Sequence, residues 1–289
     1  MSLIANSKSS ILNPDQNFAL KYVMANTIYA QFCAGETPAE VRQCVRQIKH
    51  LGYSGVILGY AREIVMDERE ASAMGQNAGI QIGTAQKLQE DIFAWRDGTI
   101  ATVDLAGEGS FVAVKFTGAG RKAVQQLVRG ERPCPDLEQA IAAICDRARD
   151  RGVRLLIDAE QQAVQPTIDE WTIDLATSVM RRQYGELLVK PPNQIRRGED
   201  QIEMSYGQLY GMADDISCEL VQQRTQAQDL NGGKLEIPKP YKALIWGTVG
   251  ECTKYLLRRG EENRDAALRT GDTRRAMVKE LKRRLLGGN

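Results

Sequence analysis

The chain has 289 residues, 43% of them hydrophobic, which is enough for a substantial core. Its 38 Lys and Arg against 37 Asp and Glu leave a net charge of +1, so no basic footprint for nucleic acid is present. The single histidine, His50, argues against histidine-based zinc sites and a Ser-His-Asp triad, and no metal site is expected.

Residues 1–16 read as a polar lead-in, and 17–289 as one α/β domain. The lead-in has no apolar h-region and no arginine, so neither a signal nor a transit peptide is evident. No stretch reaches the ~18 apolar residues of a membrane span. The six cysteines form no C-x-x-C pair and read as reduced core thiols, so a cytoplasmic protein is expected. Arg269, Arg274, Arg275, Lys279, Lys282, Arg283 and Arg284 make the C-terminus basic, which is read as a solvated helix face.

Asn17 to Ala34 predicts an apolar helix. Thr37-Pro38-Ala39-Glu40 is a capping box with proline at the first helical position. The helix it opens repeats Val41, Cys44, Val45, Ile48 and Leu51 before Gly52. Val56-Ile57-Leu58 is apolar on both faces, as in a buried parallel strand, and ends at Gly59-Tyr60. Met66 to Arg96 predicts one or two helices, and Phe111 to Phe116 a second strand followed by a helix over Arg121–Arg129. A helix from Pro135 stops at Gly152, a third strand runs Val153–Ile157, and Thr167-Ile168-Asp169-Glu170 caps the next helix. Leu187–Val189 is a short strand candidate. Then come a polar segment over Gln194–Gln201, a strand at Met204–Tyr206, a helix over Gln208–Gln226, a turn at Asn231-Gly232-Gly233 and a strand-like run over Ala243–Trp246.

In parallel α/β sheets and barrels, chemistry sits at the C-terminal ends of strands. Glu63, Lys115 and Asp158 fall there, after strands one, two and three. Arg258 and Arg259 each carry a five-donor fork suited to a carboxylate, and Glu262 stands four and three residues after them, where one carboxylate can orient both. Together these residues suit a small zwitterion; structural ion pairs and a solvated helix face are the plainer readings. Gly118-Ala119-Gly120-Arg121-Lys122-Ala123 fits a dinucleotide fingerprint, but the acid ending the next strand, Asp158, comes well past the usual ~20 residues. A tight loop is its plainer reading, although the helix start with Arg121 and Lys122 could hold an isolated phosphate.

Tyr255-Leu256-Leu257-Arg258-Arg259-Gly260-Glu261-Glu262-Asn263 resembles the signature of the proline dehydrogenase (proline oxidase) family. Gly35-Glu36, the strand ending at Tyr60 with Glu63, Val-Lys115-Phe, Ile-Asp158-Ala-Glu160 and Gly-Gln208-Leu-Tyr-Gly-Met212 resemble that family's landmarks, in its order. The resemblance implies a (β/α)8 barrel that oxidises proline by hydride transfer to FAD. It implies that Lys115 and Asp158 are catalytic, that Arg258, Arg259 and Glu63 serve substrate binding, and that Glu262 is on the cofactor side. A mitochondrial location is the family alternative to the cytoplasm.

The departures are as informative. Only about forty residues separate Ile168 from Gly207, and none of the family's Gln-x-Tyr, Arg-Gly-Ala-Tyr and His-Asn strands is present. Those strands supply most of its flavin contacts. The family's tyrosine fifteen residues before the arginine pair is Ala243 here. The expected fold is therefore α/β, derived from a (β/α)8 barrel, with an incomplete parallel barrel and several central units missing. An FAD-dependent dehydrogenase and a non-redox descendant that keeps the carboxylate clamp both remain open. Either takes a small zwitterionic or carboxylate ligand, and exposed sheet edges point to a homo-oligomer or to covering of the edge by the Gln194–Gln226 region.

Overall fold

The computed structural model describes residues 10–62, 64, 83–184, 205–231, 238–266 and 278. The chain divides into two compact units: residues 1–61 with 205–289, and residues 62–204.

In the first unit, α1 (Phe18–Met24) is capped by Asn17 and runs through a π-helical stretch, Ala25–Tyr29, into a last turn at Ala30–Phe32. The capping box appears as predicted: Thr37 and Glu40 bond each other's backbone, and α2 (Pro38–His50) buries Val41, Cys44, Val45 and Ile48. Leu51 does not complete that stripe. It is the C-cap and stands 60% exposed, because the chain is already turning there.

Strand β1 (Gly55–Tyr60) pairs in parallel with the strand Lys239–Trp246, in register from Gly55↔Tyr241 to Tyr60↔Trp246. The other side of Lys239–Trp246 pairs in parallel with Ser205–Leu209. The last strand in sequence is thus central within this unit. It is longer than its Ala243–Trp246 run predicts, since Tyr241 is buried too. Pro240 sits in it without an N–H to give, and its carbonyl accepts from Ser54 N at 2.9 Å. A helix over Asp214–Asn231 lies between the two strands in sequence, and a helix over Val249–Ala266 follows the second of them. That last helix packs Val249, Cys252, Tyr255 and Leu256 against Met24, Tyr29, Phe32 and Cys33. Burial of each such large side chain contributes ~1.5–3 kcal/mol.

In the second unit, α3 (Ala85–Ala106) is capped by Thr84 and extends ten residues beyond Arg96, where the sequence reading ended it. Its distal half is buried at Thr99, Thr102, Val103, Leu105 and Ala106. Strand β2 (Phe111–Val114) pairs in parallel with β3 (Arg154–Ile157), Phe111↔Arg154 to Val114↔Ile157. Between them lie a 3-10 turn (Phe116–Ala119), α4 (Arg121–Arg129) and α5 (Pro135–Asp150). Asp104 of α3 holds Arg147 of α5 through both carboxylate oxygens at 2.9 Å.

Helix α6 (Gln165–Tyr184) starts before the expected cap at Thr167. Pro166 sits in its first turn, where a missing N–H costs nothing, and Thr167 is buried instead of capping. The Trp171 ring of α6 meets Phe116 edge-on at 5.6 Å. Keeping chain order, Ser205–Leu209 is β4, Asp214–Asn231 is α7, Lys239–Trp246 is β5 and Val249–Ala266 is α8. The expected α7 start at Gln208 is corrected: Gln208 belongs to β4, and the helix begins only after Ala213 turns the chain at φ +50°. The Leu187–Val189 strand, the polar segment over Gln194–Gln201, Gly232-Gly233 and the start of the Met66 helix lie outside the described residues.

The six cysteines form no disulfide. No described helix is long and apolar enough to cross a membrane. No metal-binding cluster of His, Cys, Asp and Glu occurs among the described residues.

Candidate active site

Lys115 follows β2 directly and Asp158 follows β3 directly. The parallel register carries on past both strands, because Asp158 N donates to Val114 O at 3.0 Å. That places the two side chains across from each other: Lys115 Nζ and Asp158 Oδ2 are 3.6 Å apart. The pair is open to water, at 20% and 38% exposure. Such pairs contribute only ~0–1 kcal/mol to folding, so glue is a poor account of it. A positioned, solvent-reachable amine and carboxylate suit a small charged ligand better.

Two residues further along each strand end is a second rung. Glu160 Oε1 accepts from Thr117 N at 3.3 Å, and Glu160 Oε2 takes the Thr117 hydroxyl. Glu160 N donates to Gln165 Oε1 at 2.8 Å, which ties the rung to the start of α6. Burial pushes the Glu160 carboxyl above the usual range, while its Thr117 bonds and the Lys115 charge pull it back down. Glu160 falls within the Ile-Asp-Ala-Glu motif, where the sequence by itself marks no role for it. The contact forms beyond the ends of both strands, at the 3-10 turn Phe116–Ala119, where strand alternation offers no sequence signal.

Glu63 lies outside the described residues. Its neighbour Arg62 forms an ion pair with Asp91 at 2.7 Å. Arg258, Arg259 and Glu262 fall on α8, although their side chains lie outside the described set. What the structure does describe is how α8 begins. Gly250 N donates to Asp15 Oδ1 at 3.0 Å, Val249 N to Glu36 Oε1 at 3.0 Å and Thr248 N to Glu251 Oε2 at 2.9 Å. Three carboxylates thus cover three N–H groups at the positive end of the helix. Glu36 also pairs with Lys21 at 3.0 Å, and Tyr29 OH donates to Gly247 O at 2.6 Å. Lys242 of β5 was not singled out by the sequence reading. It is buried, and its ammonium donates to Asp214 Oδ1 at 2.6 Å and Met212 O at 3.0 Å.

A family model described as proline dehydrogenase matches residues 41–189 and 192–271. The chain belongs to the proline dehydrogenase family. The family match breaks only at 190–191, within the stretch where the sequence lacks the central units. No curated protein matches the chain. Among solved structures, it is similar to proline utilization A (PutA) from Bdellovibrio bacteriovorus inactivated by N-propargylglycine. The TM-score is 0.53 at 12% identity, over 90% of this chain and 36% of that one, so the chain spans just over a third of that protein's length. At this identity the likeness carries the fold alone. That fold is an incomplete (β/α) barrel, with five parallel strands among the described residues.

Proline dehydrogenases are FAD enzymes, and FAD brings a diphosphate. Barrels hold phosphate on helix N-termini and glycine turns after strands. The starts of α4, α7 and α8 do not fit one. At the turn into α4, a Cβ on Gly118 would lie 2.5 Å from the Arg62 carbonyl and 2.9 Å from Trp95. One on Gly120 would lie 2.6 Å from Cβ of Asp91. The glycines therefore serve packing, with a carboxylate at the turn. The α8 start is filled by Asp15, Glu36 and Glu251. The α7 start carries Asp214 and Asp215 in its first turn.

Proposed function

We propose that this proline dehydrogenase family member binds proline or a closely related amino acid or cyclic amine. Asp158 faces the ligand's ammonium, Lys115 sets the Asp158 carboxylate, and Arg258 and Arg259 take the ligand's carboxylate. Glu63 and Glu262 steady the arginines or the flavin side. The observation that carries this reading is the Lys115–Asp158 pair, solvent-reachable at the ends of two paired strands. Arg258 and Arg259 come to this reading through the family, whose fork geometry suits a carboxylate.

Oxidation of that ligand with FAD is the activity family membership supports in general. A specific observation favours a second reading, a non-redox descendant with the same ligand. The starts of α4, α7 and α8 carry their own carboxylates or packing contacts where a diphosphate would sit, and the strands that bear the family's flavin contacts are missing from the sequence. The absorption spectrum of the purified protein separates the two. Sub-stoichiometric flavin is expected, and stoichiometric, retained FAD would select the dehydrogenase. Calorimetric titration of proline tests the shared step: no binding to the full chain would remove both readings. Leu156, 42% exposed on β3, supports a homo-oligomer in which a second copy covers apolar surface.

A further inference from the structure

The face of β2 and β3 that leads up to Asp158 is built from cross-strand pairs of different chemistry. Phe111 stands beside Arg154, and Ala113 beside Leu156. Arg154 N donates to Ser110 O at 3.0 Å, and Asp158 N to Val114 O at 3.0 Å, four residues on in each strand. The ladder thus keeps one phase from Arg154 to Asp158, so Arg154, Leu156 and Asp158 share a face. The contacts on either side of Leu156 agree. The Arg154 guanidinium lies 3.9 Å from the centre of the Phe111 ring, and Asp158 lies 3.6 Å from Lys115. Val114, Leu155 and Ile157, out of phase with these, line a small gap with Trp95, Ile141 and Ile144.

The deepest pair is closed by a ring and a guanidinium. The last is charged. Between them Leu156 is 42% exposed, beside an alanine that fills little of the space. Two residues of strand rise, about 6.6 Å, separate it from Asp158, a span the few carbons of a small amino acid can bridge. Resting on the amino-acid reading above, we infer that Leu156 is a specificity-determining residue: it is the apolar floor under the ligand's hydrocarbon body when the ammonium sits on Asp158. Ala113 leaves the room for that body. Charge recognition at Asp158 serves any amino acid, since all carry the ammonium. Leu156 is what sorts them, in favour of an apolar ring or short chain and against a body that is absent or polar. A second copy covering Leu156 is the rival occupant, and the test separates the two.

The test compares proline with sarcosine (N-methylglycine), which keeps the secondary ammonium and the carboxylate and lacks the rest of the ring. Both are titrated calorimetrically into the full chain, wild type, Leu156→Asn and Leu156→Met. Asparagine is close to leucine in shape, and a half-exposed position tolerates its polarity. Leu156→Asn is expected to weaken proline about fivefold and sarcosine less than about twofold. The figure lies below the ~10–200-fold that a methylene is worth in a closed pocket, because this floor is open to water. Leu156→Met keeps the floor apolar and should hold proline within about twofold of wild type. Leu156→Ala, which removes the floor without adding polarity, is read in the same way as Leu156→Asn. Equal losses for both ligands, an unchanged proline affinity, or a wild type that holds proline no more tightly than sarcosine would overturn the inference and leave the amino-acid reading intact. So would a Leu156→Asn chain whose oligomeric state shifts while both affinities hold, since the leucine then faces a second copy. A wild type that binds neither compound removes that reading and this inference with it.

Discussion

Lys242 and Asp214 offer the sharpest test of how the first unit is held together. Lys242 is 3% exposed, and its ammonium has three acceptors: Asp214 Oδ1 at 2.6 Å, Met212 O at 3.0 Å and Leu209 O at 3.4 Å. Asp214→Ala removes the only charged one of the three. Breaking a fully buried pair costs ~3–5 kcal/mol, because a bare charge stays behind. Here Asp214 is 46% exposed and two carbonyls remain, so the expected cost is about 2–3 kcal/mol. Lys242→Met should cost less, about 1–2 kcal/mol, since it leaves neutral carbonyls and an aspartate that water can reach. The double substitution should cost no more than Lys242→Met alone, a coupling of about 2 kcal/mol. Native-state hydrogen exchange on β5 peptides reads the opening free energy where the lysine sits. If Asp214→Ala lowers β5 protection by less than about 0.5 kcal/mol, or if the two substitutions simply add, the buried-charge reasoning is wrong.

Arg258→Lys or Arg259→Lys should weaken proline binding at least about tenfold, ~1.4 kcal/mol, with little change in stability. If calorimetry gives equal binding for wild type and both variants, the cluster is an ordinary solvated helix face. Glu160 should leave a mark on acid stability. Its folded-state carboxyl lies above the ordinary value, so its contribution is full below the unfolded value near 4.5 and is lost as pH rises through the folded one. Urea midpoints for Glu160→Gln against wild type should therefore diverge in the variant's favour over that window, and parallel curves would contradict the shift. Gly118→Ala must push a Cβ against the Arg62 carbonyl and should cost about 1–3 kcal/mol with no nucleotide present. A neutral change in thermal unfolding would reopen the turn as a ligand cradle.

The elements set by local chemistry were legible in the sequence. Helix α2 needed only its capping box and a three-four apolar spacing, and β1 only an apolar run between glycines. Helix α3 was read too short because Gly98, Thr99, Thr102 and Val103 are poor helix formers. Packing against α5 overrides that, and the hydroxyls of Thr99 and Thr102 turn back onto the carbonyls four residues earlier at 2.8 and 2.7 Å. The α7 start was hidden because Gly211, at φ +72°, and Ala213 make a turn whose tight fit against Gln31 is tertiary. The placement of Lys115 and Asp158 at strand ends was legible because a strand end announces itself. The Glu160 contact was not, because its partner Thr117 lies 43 residues away in sequence. Asp15 was not, because its partners, Thr248 and Gly250, are over two hundred residues away.

The central place of β5 in its unit has a consequence for synthesis. Tyr60 of β1 waits for Trp246, roughly 190 residues later, before its β5-side neighbour exists. At ~5–20 residues per second, that edge of β1 stays without this partner for about ten to forty seconds of translation. During that interval Val56 and Leu58, fully buried in the finished fold, are available to any other strand. The α8 start is later still, because its caps Asp15 and Glu36 are made more than two hundred residues before the helix they cap. Closing loops of that length makes such contacts slow to form. Shielding of β1 while the rest is being made is thus expected to raise the yield of folded chain.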